Sequence, residues 1–299
     1  MKKARPWLVV GGNGQLGIEV RKELIRRNID FQAFSSKELD IRDFKSVTNG
    51  VLEINPRVIV NCSGWTNVSK AEEHEREANL LNAYAPAHLA RTAQELNSVF
   101  VHVSSDYVFS GANNSPYKVE DTTNPVNAYG RSKALGEKLL AELSISRLYL
   151  FRTAWLYSEH GQNFVKTILK AYLSGTNPIK VVSDQIGSPT SASDLSFQII
   201  ESVIQGIPFG VHHAVNLGAA TWYDLAQAAL RTLNLDVNYV VPISYVDFPS
   251  KVVRPRCTLL DMSKWDHISM PKMKEWDEAL NLKIHAVFKS VVSENSSEI

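Results

Sequence analysis

A short apolar run followed at once by a glycine-rich turn places the strongest constraint on how this chain folds. Trp7–Val10 is apolar at every position, as is typical of a parallel strand buried on both faces. Gly11, Gly14 and Gly17 follow, and residues 18–27 have apolar positions at helical spacing. This order of strand, glycine turn and helix predicts a βαβ unit whose helix N-terminus can approach a pyrophosphate.

Strands and helices alternate along the first half of the chain. Further predicted strands are Phe31–Phe34, Val58–Val60, Val99–Val103 and Leu148–Phe151. The alternation predicts an α/β fold with a Rossmann-type, doubly wound parallel sheet. One long helix is expected from about Glu72 to Leu96, kinked or divided at Pro86.

After Arg152 the alternation loosens, which predicts a smaller, discontinuous C-terminal domain. We expect residues 1–151 with about 190–218 in a dinucleotide-binding domain, and 152–189 with 219–299 in a second, smaller domain. Capping boxes are predicted at Ser191-x-x-Asp194 and Thr221-x-x-Asp224. Of the adjacent His212 and His213, which point to opposite faces of a strand, one is expected to be buried and one exposed.

The composition excludes several classes of protein. Lys plus Arg total 32 against 31 Asp plus Glu, which argues against a nucleic-acid or anionic-membrane surface. No stretch reaches membrane-spanning length, so a cytoplasmic protein is expected. Ile18-Glu19 stands where a Walker A loop needs Lys and Ser or Thr, and no G-x-S-x-G elbow occurs. Nucleotide triphosphate hydrolysis and acyl-transfer hydrolysis are therefore not supported.

The end of the second predicted strand bears on the choice of cofactor. Ser35, Ser36 and Lys37 stand where a cofactor with a free 2′-hydroxyl usually meets Asp or Glu. Two hydroxyls and a cation suit a 2′-phosphate, so NADPH is favoured, with NADH as the open alternative. After the third strand, residues 61–64 end in Gly64, which allows a close backbone approach to the cofactor.

Three side chains predict the chemistry. Tyr129 and Lys133 are four residues apart on a predicted helix and share a face, and Ser105 lies at a predicted strand end. A phenol, an ammonium and a hydroxyl suit proton transfer to or from a carbonyl or alcohol oxygen. An ammonium about 4 Å away, at an effective dielectric of about 20, favours the phenolate by roughly 4 kcal/mol, so the Tyr129 pKa is expected near 7. A Tyr four residues before a Lys also occurs in helices by chance.

Longer motifs carry a resemblance over nearly the whole chain. They are S-S-D-Y-V-F-S-G, N-P-V-N-A-Y-G-R-S-K-A-L-G-E, R-T-A-W-L-Y, G-Q-N-F-V-K-T, D-Q-I-G-S-P-T and R-P-R. With Tyr129-x-x-x-Lys133, they resemble the dTDP-4-dehydrorhamnose reductase family of the extended short-chain dehydrogenase/reductase superfamily. The resemblance implies NADPH- or NADH-dependent reduction of the C4 keto group of a dTDP-4-keto-6-deoxy-L-hexose, which converts dTDP-4-dehydrorhamnose to dTDP-L-rhamnose.

The resemblance also implies roles for individual residues. Tyr129 would donate the proton, Lys133 would be its electrostatic and ribose-binding partner, and Ser105 would hydrogen-bond the keto oxygen. Together with the pattern-based candidates, the expected cofactor contacts are Gly11, Gly14, Gln15, Leu16, Gly17, Ser35, Ser36, Lys37, Asp40, Ile41, Ser63, Gly64, Trp65, Thr66, Tyr129 and Lys133. The expected contacts to the sugar nucleotide are Ser105, Asp106, Tyr107, Trp155 and Arg256.

Departures from the family pattern limit what can be carried over. The family commonly has Thr at the position of Ser105, and Asn-Ser where this chain has Cys257-Thr258. Some members bind magnesium through glutamates at a dimer contact; Glu19 matches one of these, but Ser193 replaces another. No metal is therefore predicted, and the chain is expected to be a monomer or a homodimer.

Two relatives of the same fold supply alternatives. The 4,6-dehydratases place Asp-Glu after the catalytic hydroxyl residue, whereas Asp106-Tyr107 lacks the second acid needed to eliminate water. The regulatory β subunit of methionine adenosyltransferase resembles the family and has a similar S-S-D-Y-V-F stretch. A non-catalytic NADP-binding regulatory subunit therefore stays open as the alternative to an enzyme.

Overall fold

The computed structural model describes residues 5–113, 115–250 and 252–297, and a six-stranded sheet lies at its centre. Every pairing in this sheet is parallel, and the order is β10–β5–β4–β3–β1–β2. Its strands are β1 (Trp7–Val10), β2 (Phe31–Phe34), β3 (Val58–Asn61), β4 (Val99–Ser105), β5 (Leu148–Thr153) and β10 (Gly210–His213). The predicted doubly wound parallel sheet is confirmed.

The described part of the chain also has ten α-helices, six short strands and five short segments of 3-10 or π type. The helices are α1 (Gln15–Arg26), α2 (Phe44–Ile54), α3 (Val68–Glu73), α4 (Glu75–Asn79), α5 (Ala85–Glu95), α6 (Ala128–Glu142), α7 (Phe164–Leu173), α8 (Ala192–Gln205), α9 (Trp222–Thr232) and α10 (Trp276–Ser297). The short strands are β6 (Leu156–Tyr157), β7 (Ile179–Val182), β8 (Ile186–Gly187), β9 (Thr190–Ser191), β11 (Ala220–Thr221) and β12 (Val240–Ile243). No helix in these residues is both long and apolar enough to cross a bilayer.

The sheet is covered on both faces, which explains the continuous apolar runs. Trp7 and Val9 of β1 pack into a core built with α1 and α8. Leu8 and Val10, which alternate with them, pack into the opposite core with α2 and α5. A strand that feeds two cores has no solvent-facing position, so polar residues are absent from β1.

A third core lies outside the large sheet. It joins α7, α9 and α10 with β7 and β12, which pair in parallel. Residues 190–218 return to the first body: α8 contributes Leu195 and Ile199 to the core with α1, and β10 pairs with β5. The division into two domains at 151/152, 189/190 and 218/219 remains a prediction, and its residues 1–4, 114, 251 and 298–299 lie outside the described residues.

The helix expected from Glu72 to Leu96 is in fact three helices with a wide turn. The turn Leu80–Tyr84 has i→i+5 pairing and precedes α5, which carries Pro86 in its first turn. Pro86 has no N–H to donate to the carbonyl of Asn82, four residues earlier, so regular pairing fails there. The Asn82 carbonyl instead lies against Gly136 of α6, where an added Cβ would be 2.3 Å from its oxygen.

Two local predictions about the second half are wrong for a shared reason, which is tertiary contact. His212 and His213 are both buried, because each face of β10 is covered: the Trp265 ring lies 5.5 Å from the His212 ring, and the Phe109 ring lies 6.1 Å from the His213 ring, between centroids. Ser191 makes no side-chain cap for α8. Its N–H donates to Asn216 Oδ1 at 2.8 Å and not to the Asp194 carboxylate, which is bound by Asn216 and Lys274. The box at Thr221-x-x-Asp224 forms as predicted.

Candidate active site

A cleft of about 850 Å³ opens at the carboxyl ends of β1, β3, β4 and β5. The strand order reverses at β1, with β2 on one side and β3 on the other, and open α/β sheets bind ligands at such a point. The predicted site residues that line it are Gly11, Gly14, Gln15, Leu16, Ser35, Ser36, Asp40, Ile41, Ser63, Gly64, Thr66, Ser105, Asp106, Tyr107, Tyr129, Lys133 and Trp155. Those outside its lining are Gly17, Lys37, Trp65 and Arg256.

The start of α1 forms one end of the cleft. Gly14 is its N-cap and has no side chain to accept from the first-turn N–H groups, unlike Asp43, Asn127 and Asn163 at α2, α6 and α7. Gly17 lies under the turn, where an added Cβ would be 2.2 Å from the Gly11 carbonyl oxygen. These first-turn N–H groups lack a side-chain cap and lie where a pyrophosphate can accept from them.

The end of β2 supplies hydroxyls and a different cation from the one expected. Ser35 and Ser36 line the cleft, and the Ser35 hydroxyl donates to Glu38 at 2.7 Å. Lys37 is exposed and is not among the residues that line the cleft, so its predicted cofactor contact stays a prediction. Arg42 lines the cleft instead and pairs with Asp40, Nη2 to Oδ2, at 2.6 Å.

Asn82, which the sequence analysis did not identify, lies behind the middle of the cleft and joins two segments that line it. Its Oδ1 accepts from the Trp65 N–H at 2.8 Å, and its Nδ2 donates to Ser132 of α6 at 2.9 Å. Asn82 therefore ties the loop after β3 to the helix that carries Tyr129 and Lys133. Trp65 takes part through its backbone N–H; its indole Nε1 donates to the Asn67 carbonyl at 2.8 Å, and Trp65 does not line the cleft.

Lys133 is buried beside this loop. Its Nζ donates to the Val103 carbonyl at 3.1 Å, and an added Cβ on Gly64 would lie 3.2 Å from Nζ. Burial lowers the pKa of Lys133 to about 8, opposed by the negative charge of Glu137 one turn along α6. Glu137 is itself paired with Arg152 at 2.7 Å, Oε2 to Nη2, so the ammonium faces an already compensated carboxylate.

Tyr129 lies in the first turn of α6 and faces the cleft beside Tyr107, ring centroids 5.6 Å apart. Burial raises the Tyr129 pKa well above its usual value, and a hydrogen bond with Ser105 opposes this only in part. The expectation of a pKa near 7 is therefore wrong. That expectation counted the nearby cation and left out desolvation, and the Lys133 ammonium is bound to a backbone carbonyl.

Ser105 and Asp106 form a buried network with a residue from the far end of the chain. The Ser105 hydroxyl donates to Asp106 Oδ1 at 2.9 Å, and the Thr258 hydroxyl donates to Oδ2 at 2.6 Å. The Tyr107 N–H donates to Ser105 Oγ at 3.2 Å. Burial raises the pKa of Asp106 to about 6, opposed by the hydrogen bonds from Thr258 and Ser105.

The C-terminal half supplies an aromatic wall. Trp155 stacks on Trp222 with ring centroids 3.5 Å apart and planes 6° apart, and both line the cleft. Trp155 has a φ of +46°, a left-handed conformation that is costly for a bulky residue. Gly187 allows the indole to lie there, because an added Cβ would be 2.5 Å from Trp155 Cε2.

The arginine that lines the cleft beside this wall is the first of the R-P-R motif, and the predicted contact Arg256 lies outside the lining. Arg254 lines the cleft near the Tyr107 hydroxyl, and its Nε is buried with no hydrogen-bond partner among the described residues. Arg256 is exposed, and its carbonyl accepts from the Ile186 N–H at 2.8 Å. The motif was visible in the sequence, but only the fold shows which arginine faces the cleft.

Glu19, Glu159 and His160 form a group of possible metal ligands away from the lining, with ligand atoms within 4.8 Å of one another. The Lys22 Nζ lies 2.9, 2.7 and 2.8 Å from their side-chain atoms. The ammonium thus lies among these ligand atoms and offsets their negative charge.

The fold and the site together define a Rossmann-fold protein of the short-chain dehydrogenase/reductase type. The defining features are the parallel doubly wound sheet, the uncapped helix start behind a glycine turn, and Tyr129 with Lys133 at the same cleft. The family model described as RmlD substrate binding domain matches residues 5–288, and the chain belongs to this family.

Relatives of known name cover most of the chain. It is 36% identical to a dTDP-4-dehydrorhamnose reductase of Streptomyces griseus, over 92% of this chain and 91% of the relative. It is 38% identical to a dTDP-4-keto-6-deoxy-D-glucose reductase of Streptomyces niveus, over 92% and 94%. A dTDP-4-dehydrorhamnose reductase of Bacillus anthracis, solved in complex with NADP, is 32% identical and superposes with a TM-score of 0.90 over 95% of this chain and 99% of that one.

Proposed function

We propose that this protein reduces the C4 keto group of a dTDP-linked 4-keto-6-deoxy-hexose with NADPH, and that the dTDP-4-dehydrorhamnose to dTDP-L-rhamnose conversion is the reaction. The observation that carries the proposal is the meeting of Tyr129, Ser105 and Lys133 in one cleft with an uncapped helix start. Relatives named for this reduction share about a third of the sequence over most of the chain.

The chain's residues fit a dinucleotide along one side of the cleft. Gly17 packs directly against the backbone of Gly11 and Gly12, which fixes the glycine turn, and the first-turn N–H groups of α1 suit the pyrophosphate. Ser35, Ser36 and Arg42 suit a 2′-phosphate, and Lys133 lies where it can bind a ribose hydroxyl. NADPH supplies the hydride when it is bound.

Tyr129 is the proton donor in this proposal. Hydride addition to a ketone builds negative charge on oxygen, and the resulting alkoxide is far more basic than a phenolate. A phenol whose pKa is raised by burial therefore keeps its proton until the substrate oxygen needs it. Lys133, buried and bound to the Val103 carbonyl, places a positive charge on the same side of the cleft.

The test is NADPH absorbance with the keto sugar generated in situ by upstream enzymes. Turnover on a dTDP-4-keto-6-deoxy-hexose is the expected result. If the protein binds NADPH but turns over no 4-keto nucleotide sugar, the enzyme proposal fails and the regulatory-subunit alternative replaces it.

The cofactor preference should depend on Arg42. Each charge-assisted hydrogen bond to a 2′-phosphate contributes about 1.5–3 kcal/mol, so NADPH should bind at least about tenfold more tightly than NADH. Arg42→Leu should remove most of this preference, because Arg42 is the cation in the cleft lining at this end. Lys37→Leu is the matched control and should keep it. Calorimetric dissociation constants decide, and equal values for NADPH and NADH in the wild type would refute the prediction.

Arg254 should bind the diphosphate of the sugar nucleotide. Its guanidinium lies in the cleft with a buried, unpartnered Nε, so an anionic ligand would satisfy it. Arg254→Gln should raise KM for the sugar nucleotide by about 10–100-fold, the loss of one charge-assisted bond, with a smaller change in kcat. Arg256→Gln, two residues away and outside the lining, is the control; equal effects of the two substitutions would count against the assignment.

A further inference from the structure

The hydroxyl of Ser105 has one hydrogen, and its partners decide where that hydrogen points. An ionised carboxylate only accepts hydrogen bonds, so the Ser105 hydroxyl donates to Asp106 Oδ1 at 2.9 Å. The Tyr107 N–H occupies one lone pair of Ser105 Oγ, and the Tyr129 hydroxyl is hydrogen-bonded to the same Ser105 hydroxyl. While Asp106 is ionised, Ser105 therefore has no hydrogen left for the oxygen of a ketone, which can only accept.

Thr258 keeps the second carboxylate oxygen in place. Its hydroxyl donates to Asp106 Oδ2 at 2.6 Å, and Thr258 is only 2% exposed, as is Asp106. A buried carboxyl with both oxygens bonded to hydroxyls has a fixed orientation, and each hydroxyl holds its hydrogen towards it. Thr258 thus acts on Ser105 through Asp106 and does not line the cleft.

We propose that Thr258 and Asp106 set the direction of the Ser105 hydroxyl, so that Ser105 donates to the substrate oxygen only when Asp106 carries a proton. When a ketone is bound, the Tyr129 hydroxyl donates to the ketone oxygen and no longer to Ser105. Asp106 protonated on Oδ1 then donates to Ser105 Oγ, and the Ser105 hydrogen is released towards the cleft. Thr258 is then a positioning residue that stabilises the ionised form. The inference rests on the proposed reduction and adds one condition for it, which is that Asp106 is protonated.

The sign of the pH dependence follows. Ser105 is a donor below the Asp106 pKa of about 6, so kcat should fall as pH rises through that value. The titratable groups facing Asp106 are Tyr129 from α6, whose pKa is raised, and Tyr107, with Arg254 beyond it. Lys133, with a pKa of about 8, gives a separate change at higher pH.

Thr258→Val removes the hydrogen bond to Oδ2 at nearly constant volume. The lost bond favours protonated Asp106, so the midpoint near 6 should rise by about one to two pH units. Thr258→Ser keeps the hydroxyl and should restore the wild-type midpoint. Thr92→Val, which removes a similarly buried hydroxyl that bonds the His88 carbonyl on α5, should leave it unchanged.

The measurements are kcat across pH and an infrared titration of the carboxyl C=O band, assigned by its loss in Asp106→Asn. A raised midpoint in Thr258→Val by both readouts, with rescue in Thr258→Ser, supports the inference. An unshifted midpoint in a variant that turns over overturns it. If the wild type shows no turnover, the proposed function fails, and the infrared midpoints alone decide on the network. If Thr258→Val does not fold, a pH-dependent kcat near 6 in Asp106→Asn overturns the inference and a flat profile supports it.

Discussion

Tyr129→Phe should lower kcat by about 10²–10⁴, because it removes the proton donor and keeps the ring. NADPH affinity should change little, since the proposed cofactor contacts of the glycine turn and of Lys133 remain. The assay follows NADPH absorbance with the keto sugar, and the dissociation constant of NADPH is measured separately by calorimetry.

Tyr157→Phe is the matched control for Tyr129→Phe. Tyr157 is also buried, its hydroxyl has no hydrogen-bond partner among the described residues, and it lies outside the cleft lining. Removal of that hydroxyl should leave kcat within about twofold of the wild type. This is much less than the tenfold change in rate that about 1.4 kcal/mol in the activation free energy would cause. Wild-type turnover by Tyr129→Phe would show that Tyr129 is structural.

The raised pKa of Tyr129 also predicts how the wild-type rate depends on pH. A phenol near pKa 7 would lose its proton across the neutral range, and reduction would slow there. With the pKa raised by burial, the wild-type rate should show no loss assignable to Tyr129 between about pH 6.5 and 9. A change in rate near pH 8 would come from Lys133, and Lys133→Met should abolish it. A change in rate that comes from Tyr129 would persist in that variant.

Local patterns predicted those parts of the fold that depend on local physics. The predicted strands Trp7–Val10 and Phe31–Phe34 have the same bounds in the structure. For Trp7–Val10 this is because an uninterrupted apolar run is a property of the strand itself. The capping box at Thr221 is confirmed for the same reason, since its two hydrogen bonds join residues three apart.

Long-range contacts decided the rest. Asn82 reaches Ser132 over 50 residues, and Thr258 reaches Asp106 over 152, so no spacing rule could pair them. The wide turn that carries Asn82 arises where Pro86 interrupts a helix. Pro86 predicted that the helix would be interrupted, but not that the interruption would be a wide turn. The Tyr129 pKa was predicted with the wrong sign because desolvation depends on the whole fold.

Gly17→Ala should damage both stability and cofactor binding. The added Cβ would lie 2.2 Å from the Gly11 oxygen and 2.8 Å from the Gly12 Cα, and both are backbone atoms that cannot move aside by a rotamer change. We expect the free energy of unfolding to fall by about 3 kcal/mol or more, the upper range for overpacking. The shift of the turn also moves the first-turn N–H groups of α1, so the dissociation constant of NADPH should rise by at least about tenfold.

Gly50→Ala makes the same chemical change in the middle of another helix, α2, and so separates packing from helix propensity. Its added Cβ would only touch Leu39 Cδ1 at 3.7 Å, an ordinary contact. Ala is the better helix former, so this variant should gain about 0.5–1 kcal/mol in the free energy of unfolding. Urea unfolding of both variants gives the comparison. Helix propensity alone would stabilise both variants. A stable Gly17→Ala variant with wild-type NADPH affinity would therefore show that the turn is free to relax. In that case the close packing of Gly17 on Gly11 does not shape the proposed pyrophosphate site.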